Sequence, residues 1–372
     1  NTMGKFEANA DGNVHINGNK NLSTELLVHF ENNWSHHDGN GDGFEDDPQV
    51  KQYNLQNRWF WKKGGYMLHA GLALLKEDRT SGQVAHAQPA PGNPMPYRIG
   101  IGTERYEGYM KHAFILNESH GTNVAFMGNV SLHKQDASYG IKQYSVNEKS
   151  AYASLIFEHN LSAGLSLNHD YLHQRLLLPA GVVPADYGNR YPLTRGIESE
   201  TTPGAYVQYT YNLHNRVIAM AGLRIDHSNV YGTFFTPRFH LKWMPADLLT
   251  IRLSAGKGYR SPHALTENNY LMASGRRLII DNLEQEAAWN YGTSLSFLIP
   301  IGKQTLKLNA DYYYTHFLSQ TLIDYDTNPQ ELHITNLNGK SYSHTVQIDA
   351  SYLLFKGLDL TAAYRYNLVK AT

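Results

Sequence analysis

The sequence predicts an all-β fold: a transmembrane, antiparallel, up-and-down β-barrel with about sixteen strands in this chain. Three observations carry the prediction. Hydrophobicity alternates with a period of two over many segments. Short and long connections between those segments take turns along almost the whole chain. Charged residues make up only 17% of the 372, against the usual quarter, yet no run of about 18 apolar residues, the length a membrane helix needs, occurs anywhere.

The alternation is clearest over residues 306–314. Leu306, Leu308, Ala310, Tyr312 and Tyr314 fall on one face, with Lys307, Asn309 and Asp311 on the other. Leu249, Ile251, Leu253 and Ala255 alternate with Thr250, Arg252 and Ser254, and Phe239, Leu241 and Trp243 with Arg238, His240 and Lys242. Residues 289–297 and 358–366 repeat the pattern. Successive side chains of a strand point to opposite faces, so each segment reads as a strand with one apolar and one polar face. The apolar faces are expected to meet lipid and the polar faces, with Lys307, Asn309 and Asp311, to line a lumen, because hydrocarbon does not solvate charge. Aromatics cluster near strand ends at Trp243, Trp289, Tyr312, Tyr364 and Tyr366, as a girdle at a membrane interface requires. A soluble β-sandwich is the alternative, but strands of ~10 residues are the spanning length. No segment has a convincing helical period.

The connections set the topology. Residues 212–215, 244–247, 300–303 and 355–357 are short turns; 32–51, 79–104, 177–203, 259–285 and 318–340 are long and polar. Strands that run up and down through a membrane produce this asymmetry, with tight turns on one side and long outer loops on the other. The segment "LKEDR" at 75–79 reads as a charged rim ending a strand. With a formal net charge of -1, no basic field points to nucleic acid. Cysteine is absent, which excludes a disulfide framework and a Cys-based zinc site. The first residues, "NTMGKFEANADG", lack the regions of a signal peptide, so the chain is expected to be an internal piece of a longer one or not exported.

The stretch "HHDGNGDGFEDDP" (36–48) falls in a long connection between strands expected at 23–34 and 51–63. Asp38, Asn40 and Asp42 match positions 1, 3 and 5 of a calcium loop, Gly43 the sharp turn at 6, the Phe44 carbonyl position 7 and Asp46 position 9. Position 12 is Gln49 rather than the bidentate Glu, which leaves Asp46 or Asp47 to close the shell. A bound Ca2+ is therefore expected as the one cofactor, with a solvated acidic turn as the alternative. His36 and His37 adjoin the loop, and His263, His316, His333 and His344 are placed in or beside other long connections. Such side chains suit capture of haem, copper or an iron chelate, although polar His also lines loops without a ligand role. "GKGYR" (256–260) ends a strand and opens no helix, so it is no dinucleotide loop. Arg260, Glu267 and Arg276 just beyond it either face a ligand or make salt bridges within the loop. No nucleophile elbow or zinc-peptidase motif occurs, so an enzyme is not expected.

Several segments together resemble TonB-dependent outer-membrane receptors of the Bacteroidetes type. They are "ETTPGAYVQYTYNLHNRVIAMAGLRIDHSNVYGTFFTPRFHLKW" (200–243), "RLSAGKGYRSPHALTEN" (252–268), "LEQEAAWNYGTSL" (283–295), "NLNGKSYSHTVQID" (336–349) and "NLQNRWFWKKGGYMLHAGLALLKEDRTSGQ" (54–83). The resemblance covers most of the chain. It implies a 22-stranded barrel of the Gram-negative outer membrane, filled by an N-terminal plug, of which residues 1–372 supply the barrel domain without the plug or the last strands. It further implies active import of a scarce nutrient, such as a siderophore, haem, cobalamin or another metal chelate. The partners implied are outer-membrane lipid, the small-molecule ligand, the inner-membrane TonB complex acting through the plug, and a surface lipoprotein. A passive porin is the rival reading, since about sixteen strands also close a porin-sized barrel; a soluble β-sheet binding protein is the more distant one.

Overall fold

The structure is a computed structural model that describes residues 4–84, 96–177 and 196–372. In chain order its strands are β1 (Lys5–His15), β2 (Leu22–Asn33), β3 (Gln49–Lys63), β4 (Tyr66–Gly82), β5 (Arg98–Asn117), β6 (Thr122–Tyr139), β7 (Lys142–Glu158), β8 (Leu161–Leu177), β9 (Gly196–Leu213), β10 (Val217–Ser228), β11 (Gly232–Ala246), β12 (Leu249–Arg260), β13 (Arg277–Ile280), β14 (Glu286–Ile301), β15 (Gln304–Ser319), β16 (Thr321–Asp324), β17 (Glu331–Asn336), β18 (Ser341–Phe355) and β19 (Leu358–Ala371). Sixteen of them form one antiparallel sheet in sequence order, with β1 and β19 at its edges; β13, β17 and β16 form a second, three-stranded sheet. Nearest-neighbour order is what an up-and-down barrel wall requires.

The register joins the apolar faces into one continuous surface. Trp243, Ile251, Leu295, Ala310, Ile348 and Tyr364 are successive cross-strand partners. So are Val28, Leu55, Leu74, Tyr106 and Leu132 at the other side of the sheet. On the opposite face, Lys242, Arg252, Ser294, Asp311, Gln347 and Arg365 make an equally unbroken polar row. On β3 the apolar face is bounded by Trp61 near the turn and Tyr53 toward the far end. Eight residues at ~3.3 Å each give ~27 Å along a tilted strand, close to the height of a membrane barrel's apolar band.

Glycine closes the tight turns. Gly64, Gly121, Gly302 and Gly357 all have positive φ, a conformation that costs other residues backbone strain. At the other end the expected alternation holds at three described connections, 34–48, 261–285 and 320–340, but not at two others. β6 reaches β7 through Gly140 and Ile141, and β10 reaches β11 through residues 229–231. The long stretches expected at 79–104 and 177–203 lie partly outside the described residues. Strands also run longer than the ~10 residues of the spanning length, from 11 to 20 in the large sheet. Residues 75–79 are accordingly interior to β4 and not its end. His316 and His344 lie on β15 and β18, each three residues from the strand end beside the 320–340 connection, within an aromatic cluster that includes Tyr314 at 4.9 Å from His344.

Toward the long-connection end the alternation inverts. On β7, outward Phe157, Leu155, Ala153 and Ala151 give way to outward Lys149, Asn147, Ser145 and Gln143, while inward Val146 and Tyr144 become buried. On β8, outward Leu161, Leu165 and Leu167 give way to His173 and Arg175, and inward Leu172 and Leu176 are buried. A strand that leaves the membrane keeps its pleat but changes solvent on both faces, so the apolar side must switch.

Candidate functional site: the mouth of the barrel

What covers the inverted inner face is the connection after β12. Pro262 cannot donate to a ladder, and the strand stops at Arg260. The chain then makes a one-turn helix, α1 (Ala264–Asn268), and a 3-10 turn over Asn269–Ala273, short helical pieces that the sequence pattern did not suggest. The Glu267 carboxylate accepts the His263 backbone N–H at 3.2 Å, and the Glu267 N–H donates to the His263 carbonyl at 3.0 Å. This closes the turn without a side-chain cap at His263. β13 follows and pairs in parallel with β17, from the connection between β15 and β18. The two connections therefore share one small sheet, and cross-strand pairing aligns Leu278 with Leu332 and Ile280 with Ile334.

These elements fold inward. Ala264, Leu265, Leu271, Met272, Leu278 and Ile280 form one buried cluster with Tyr139, Tyr144, Val146, Leu172 and Leu176 of β6–β8. Polar contacts fix the loop at its rim. The Tyr139 hydroxyl donates to Asn269 Oδ1 at 3.0 Å. Lys142 Nζ donates to the Met272 and Ser274 carbonyls at 3.2 and 2.6 Å, and burial holds its ammonium below the ordinary lysine pKa. The Tyr144 hydroxyl donates to Gln174 Oε1 at 2.9 Å; burial pushes its pKa up to about 12, so it stays a donor. From a neighbouring connection, the Tyr97 hydroxyl donates to the Ala273 carbonyl at 3.1 Å.

Three of the residues singled out from the sequence meet at the base of this loop. Arg260 donates through Nε to Glu286 at 2.6 Å and through Nη2 to Glu267 at 2.8 Å. His263 Nδ1 lies 3.1 Å from Glu198 on β9. The hydrogen bond and charge of Glu198 raise the His263 pKa above 6.5 against the opposing effect of burial. Arg276 is separate: its Nη1 donates to the Tyr325 carbonyl at 2.9 Å and ties the two connections together. All four side chains are thus engaged within the mouth structure.

The raised His263 pKa has a signed consequence. The protonated pair contributes docking free energy fully below the unfolded pKa near 6.5, and the contribution is lost as pH rises through the higher folded value. Amide hydrogen exchange in residues 261–273 is therefore expected to quicken as pH rises through that window, beyond the intrinsic rate increase. Glu198→Gln should abolish the excess; an unchanged excess in that variant would show that the pair does not hold the loop.

His36 and His37 stand elsewhere on the rim. In their connection Asp38 accepts backbone N–H groups from Gly41 at 2.7 Å, Asp42 at 3.2 Å and Gly43 at 3.0 Å. Asp42 accepts the Phe44 N–H at 2.8 Å, and Asn40 Nδ2 donates to Asp42 at 3.1 Å. Asp46 accepts the Gly39 N–H at 2.7 Å, with His37 at 3.9 Å, and Asp47 is exposed. The loop's own amides thus hold its carboxylates. Among the described residues no three His, Asp or Glu side chains converge to hold a metal ion.

The residue the sequence reading missed here is Glu45. Its side chain is fully buried, with Oε1 2.7 Å from His36 Nδ1 and 3.2 Å from Arg98 Nη1. Its backbone N–H donates to the Gly82 carbonyl at 2.9 Å. Nothing in the local sequence separates Glu45 from the acids around it; only docking on β4 and Arg98 does.

The comparisons with known proteins agree with this architecture. No curated protein sequence matches the chain. The siderophore receptor PirA from Pseudomonas aeruginosa is similar over 99% of this chain and 63% of its own, at 12% identity and a TM-score of 0.66. The alcaligin receptor FauA from Bordetella pertussis is similar over 99% and 59%, at 12% identity and a TM-score of 0.63. The FpvAI chain of a complex with pyocin S2 is similar over 98% and 55%, at 13% identity and a TM-score of 0.66. At such identities the likeness concerns the fold, and this chain spans 55–63% of the length of those three. The family description "TonB dependent receptor-like, beta-barrel" matches residues 15–372. With an ordered sixteen-stranded wall and a match over nearly its whole length, the chain belongs to the TonB-dependent receptor-like β-barrel family.

Proposed function

We propose that this chain is the barrel of an active outer-membrane transporter that imports a scarce nutrient, with a siderophore or other metal chelate as the leading class and haem or cobalamin as the others. The observation that carries the reading is family membership over residues 15–372. The inward-folded mouth supports it. A pore for free diffusion gains from an open lumen, whereas a buried cluster at the entrance restricts passage and gives selectivity a place to act. Solved structures of similar fold include a siderophore receptor, an alcaligin receptor and a ferric enterobactin receptor. Coupling to the inner-membrane TonB complex would run through a plug domain, and a surface lipoprotein would dock over the mouth, where His36, His37 and the loop after β12 lie on the rim. A strain deleted for the gene, grown on defined iron, haem and cobalamin sources, tests the proposal. Loss of growth on one source that depends on TonB supports it; equal uptake without TonB would favour the passive porin.

Calcium belongs to the same proposal. An ion at the acidic connection would draw on Asp38, Asp42 and Asp46 together with Asn40 and the Phe44 carbonyl, displacing part of the present amide contacts. Lacking the final Glu, it should bind in the ~10⁻⁴–10⁻³ M range of extracellular sites. Asp42→Ala should weaken nutrient binding in calcium and change nothing in chelator. Wild-type binding that is equal with and without calcium would reduce the loop to a solvated acidic turn.

A further inference from the structure

The outward face of β4–β8 carries two concavities, one above the other. The lower is an apolar groove of about 650 Å³. Its floor is lowered by small residues on two adjacent cross-strand rows, Ala70, Gly128 and Ala153 on the row that includes Met110, and Gly108 and Ala151 on the row that includes Leu72 and Val130. Leu72 leans over it, 68% exposed. A Cβ on Gly108 would meet the Leu72 side chain at 3.4 Å, and one on Gly128 the Met110 side chain at 3.8 Å. Ala153 and Ala151 lie six and eight residues from the short turn at 159–160. That is the outer half of a crossing of ~10 residues. The groove opens to hydrocarbon, where water cannot fill it.

Above the groove the same strands turn cationic. Lys149 is two residues, ~7 Å, beyond Ala151 on the same face, and its Nζ lies 6.0 Å from the Tyr171 ring centroid. Arg175 follows, beside a second concavity of about 460 Å³ that it shares with Asp136 and Ser145. The charged groups on this outer face of β4–β8 are Lys76, Arg98, Lys134, Lys149 and Arg175 against Asp78, Glu104 and Asp136, five minus three, or +2, and Arg98 is already paired with Glu45 of the connection before β3. Lys76 pairs with Glu104 and Lys134 with Asp136, each at 3.0 Å. Among the described residues neither Lys149 nor Arg175 has a carboxylate partner within ion-pair distance. A chain-sized apolar groove in the outer half of the membrane, capped by unneutralised cations, is complementary to an amphiphile with an acyl tail and a phosphate head.

We propose that β4–β8 form a specific site for a phosphorylated glycolipid of the outer leaflet, with one acyl chain in the Ala70–Gly108–Gly128–Ala151–Ala153 groove and a phosphate on Lys149 and Arg175. This rests on the barrel reading of the proposed function, and the experiment separates the two. Full-length receptor is purified in mild detergent, delipidated, and titrated by native mass spectrometry with diphosphorylated lipid A, monophosphorylated lipid A and phosphatidylglycerol. Heat-modifiable gel migration is followed in parallel. Diphosphorylated lipid A should bind most tightly. Lys149→Ala and Arg175→Ala should each weaken it about fivefold, the effect of one basic residue at an anionic lipid surface. Ala151→Phe, which fills the groove, should weaken all three lipids together. Lys257→Ala, which removes an outward cation on β12 held at 4.7 Å from the Tyr259 ring centroid, should change nothing. Equal binding by wild type and the Lys149, Arg175 and Ala151 variants, with heat-modifiable migration intact, would overturn the lipid site alone. The same holds for an equal loss in Lys257→Ala. Loss of heat-modifiable migration in the wild type would overturn the barrel itself.

Discussion

Leu265→Asp should release the connection after β12 from the wall of the barrel and leave the sixteen-stranded sheet assembled. Leu265 is 2% exposed and sits among Leu271, Leu278, Tyr144 and Leu172. Truncating a buried leucine already costs about 2–5 kcal/mol, and a carboxylate without a partner adds the penalty of leaving water. No outward residue takes part in that cluster, so the membrane-facing contacts are untouched. Limited proteolysis should cut within 261–285 at a rate at least tenfold above wild type, while heat-modifiable migration stays the same. Leu265→Met, which conserves volume, should cost under about 1.5 kcal/mol and remain resistant. Failure of Leu265→Asp to assemble at all would mean that the mouth core and the barrel wall are one cooperative unit.

The second large effect separates the two faces of β15. Leu308 is paired between Phe297 and Ala350 on the apolar face, four residues from the start of the strand at Gln304. Leu308→Arg places a guanidinium near the middle of the apolar band, at about 2–4 kcal/mol. Its neighbour Asn309 points to the polar face and donates to Asp349 at 2.7 Å. Asn309→Arg keeps a carboxylate in reach and should change stability by on the order of 0.5 kcal/mol, as at other solvated positions. Reversible folding into lipid vesicles measures both. Reversed costs would put the register of the wall one residue out, since a slip of one exchanges every side chain between faces, and equal costs would mean that neither face of β15 meets lipid.

Much of the wall was legible because its cause is local. A strand in a membrane must alternate, and a tight turn needs glycine or a short polar link; both are written in the segment itself. The sixteen strands and the turns at 212–215, 244–247, 300–303 and 355–357 follow from that. The mouth was not legible, because its contacts join residues far apart. Leu265 looks no different from any loop leucine until Tyr144 and Leu172 are brought beneath it by the register of β7 and β8. A signal was nevertheless present in the phase. In "KQYSVNEKSAYASLIFE" the odd positions are polar from Gln143 to Lys149, with Tyr144 and Val146 between them, and become apolar at Ala151, Ala153, Leu155 and Phe157. Averaging over the whole strand hides the switch, and with it both the membrane exit and the need for an inner cover. The parity of Arg260, His263 and Glu267 could not be read at all, since after Pro262 the chain abandons the strand. Gly140–Ile141 escaped because a two-residue link leaves no polar stretch to notice.

The mouth core also dictates an order of assembly. Tyr139 meets Asn269, and Lys142 meets Met272, across a sequence separation of 130 residues. Neither contact can form until β6 through β12 have been laid side by side. While strands are still being added, the cover has no complete seat and the half-built lumen stands open on its inverted apolar wall. For that interval Val146, Leu172 and Leu176 face water unprotected, a surface on which another unfinished chain could settle. Assembly is therefore most exposed to misassociation after the wall has entered the membrane and before the loop comes down. A holding factor that binds this inner surface on the far side of the membrane, or a fast-closing loop, would shorten that interval without altering the finished structure.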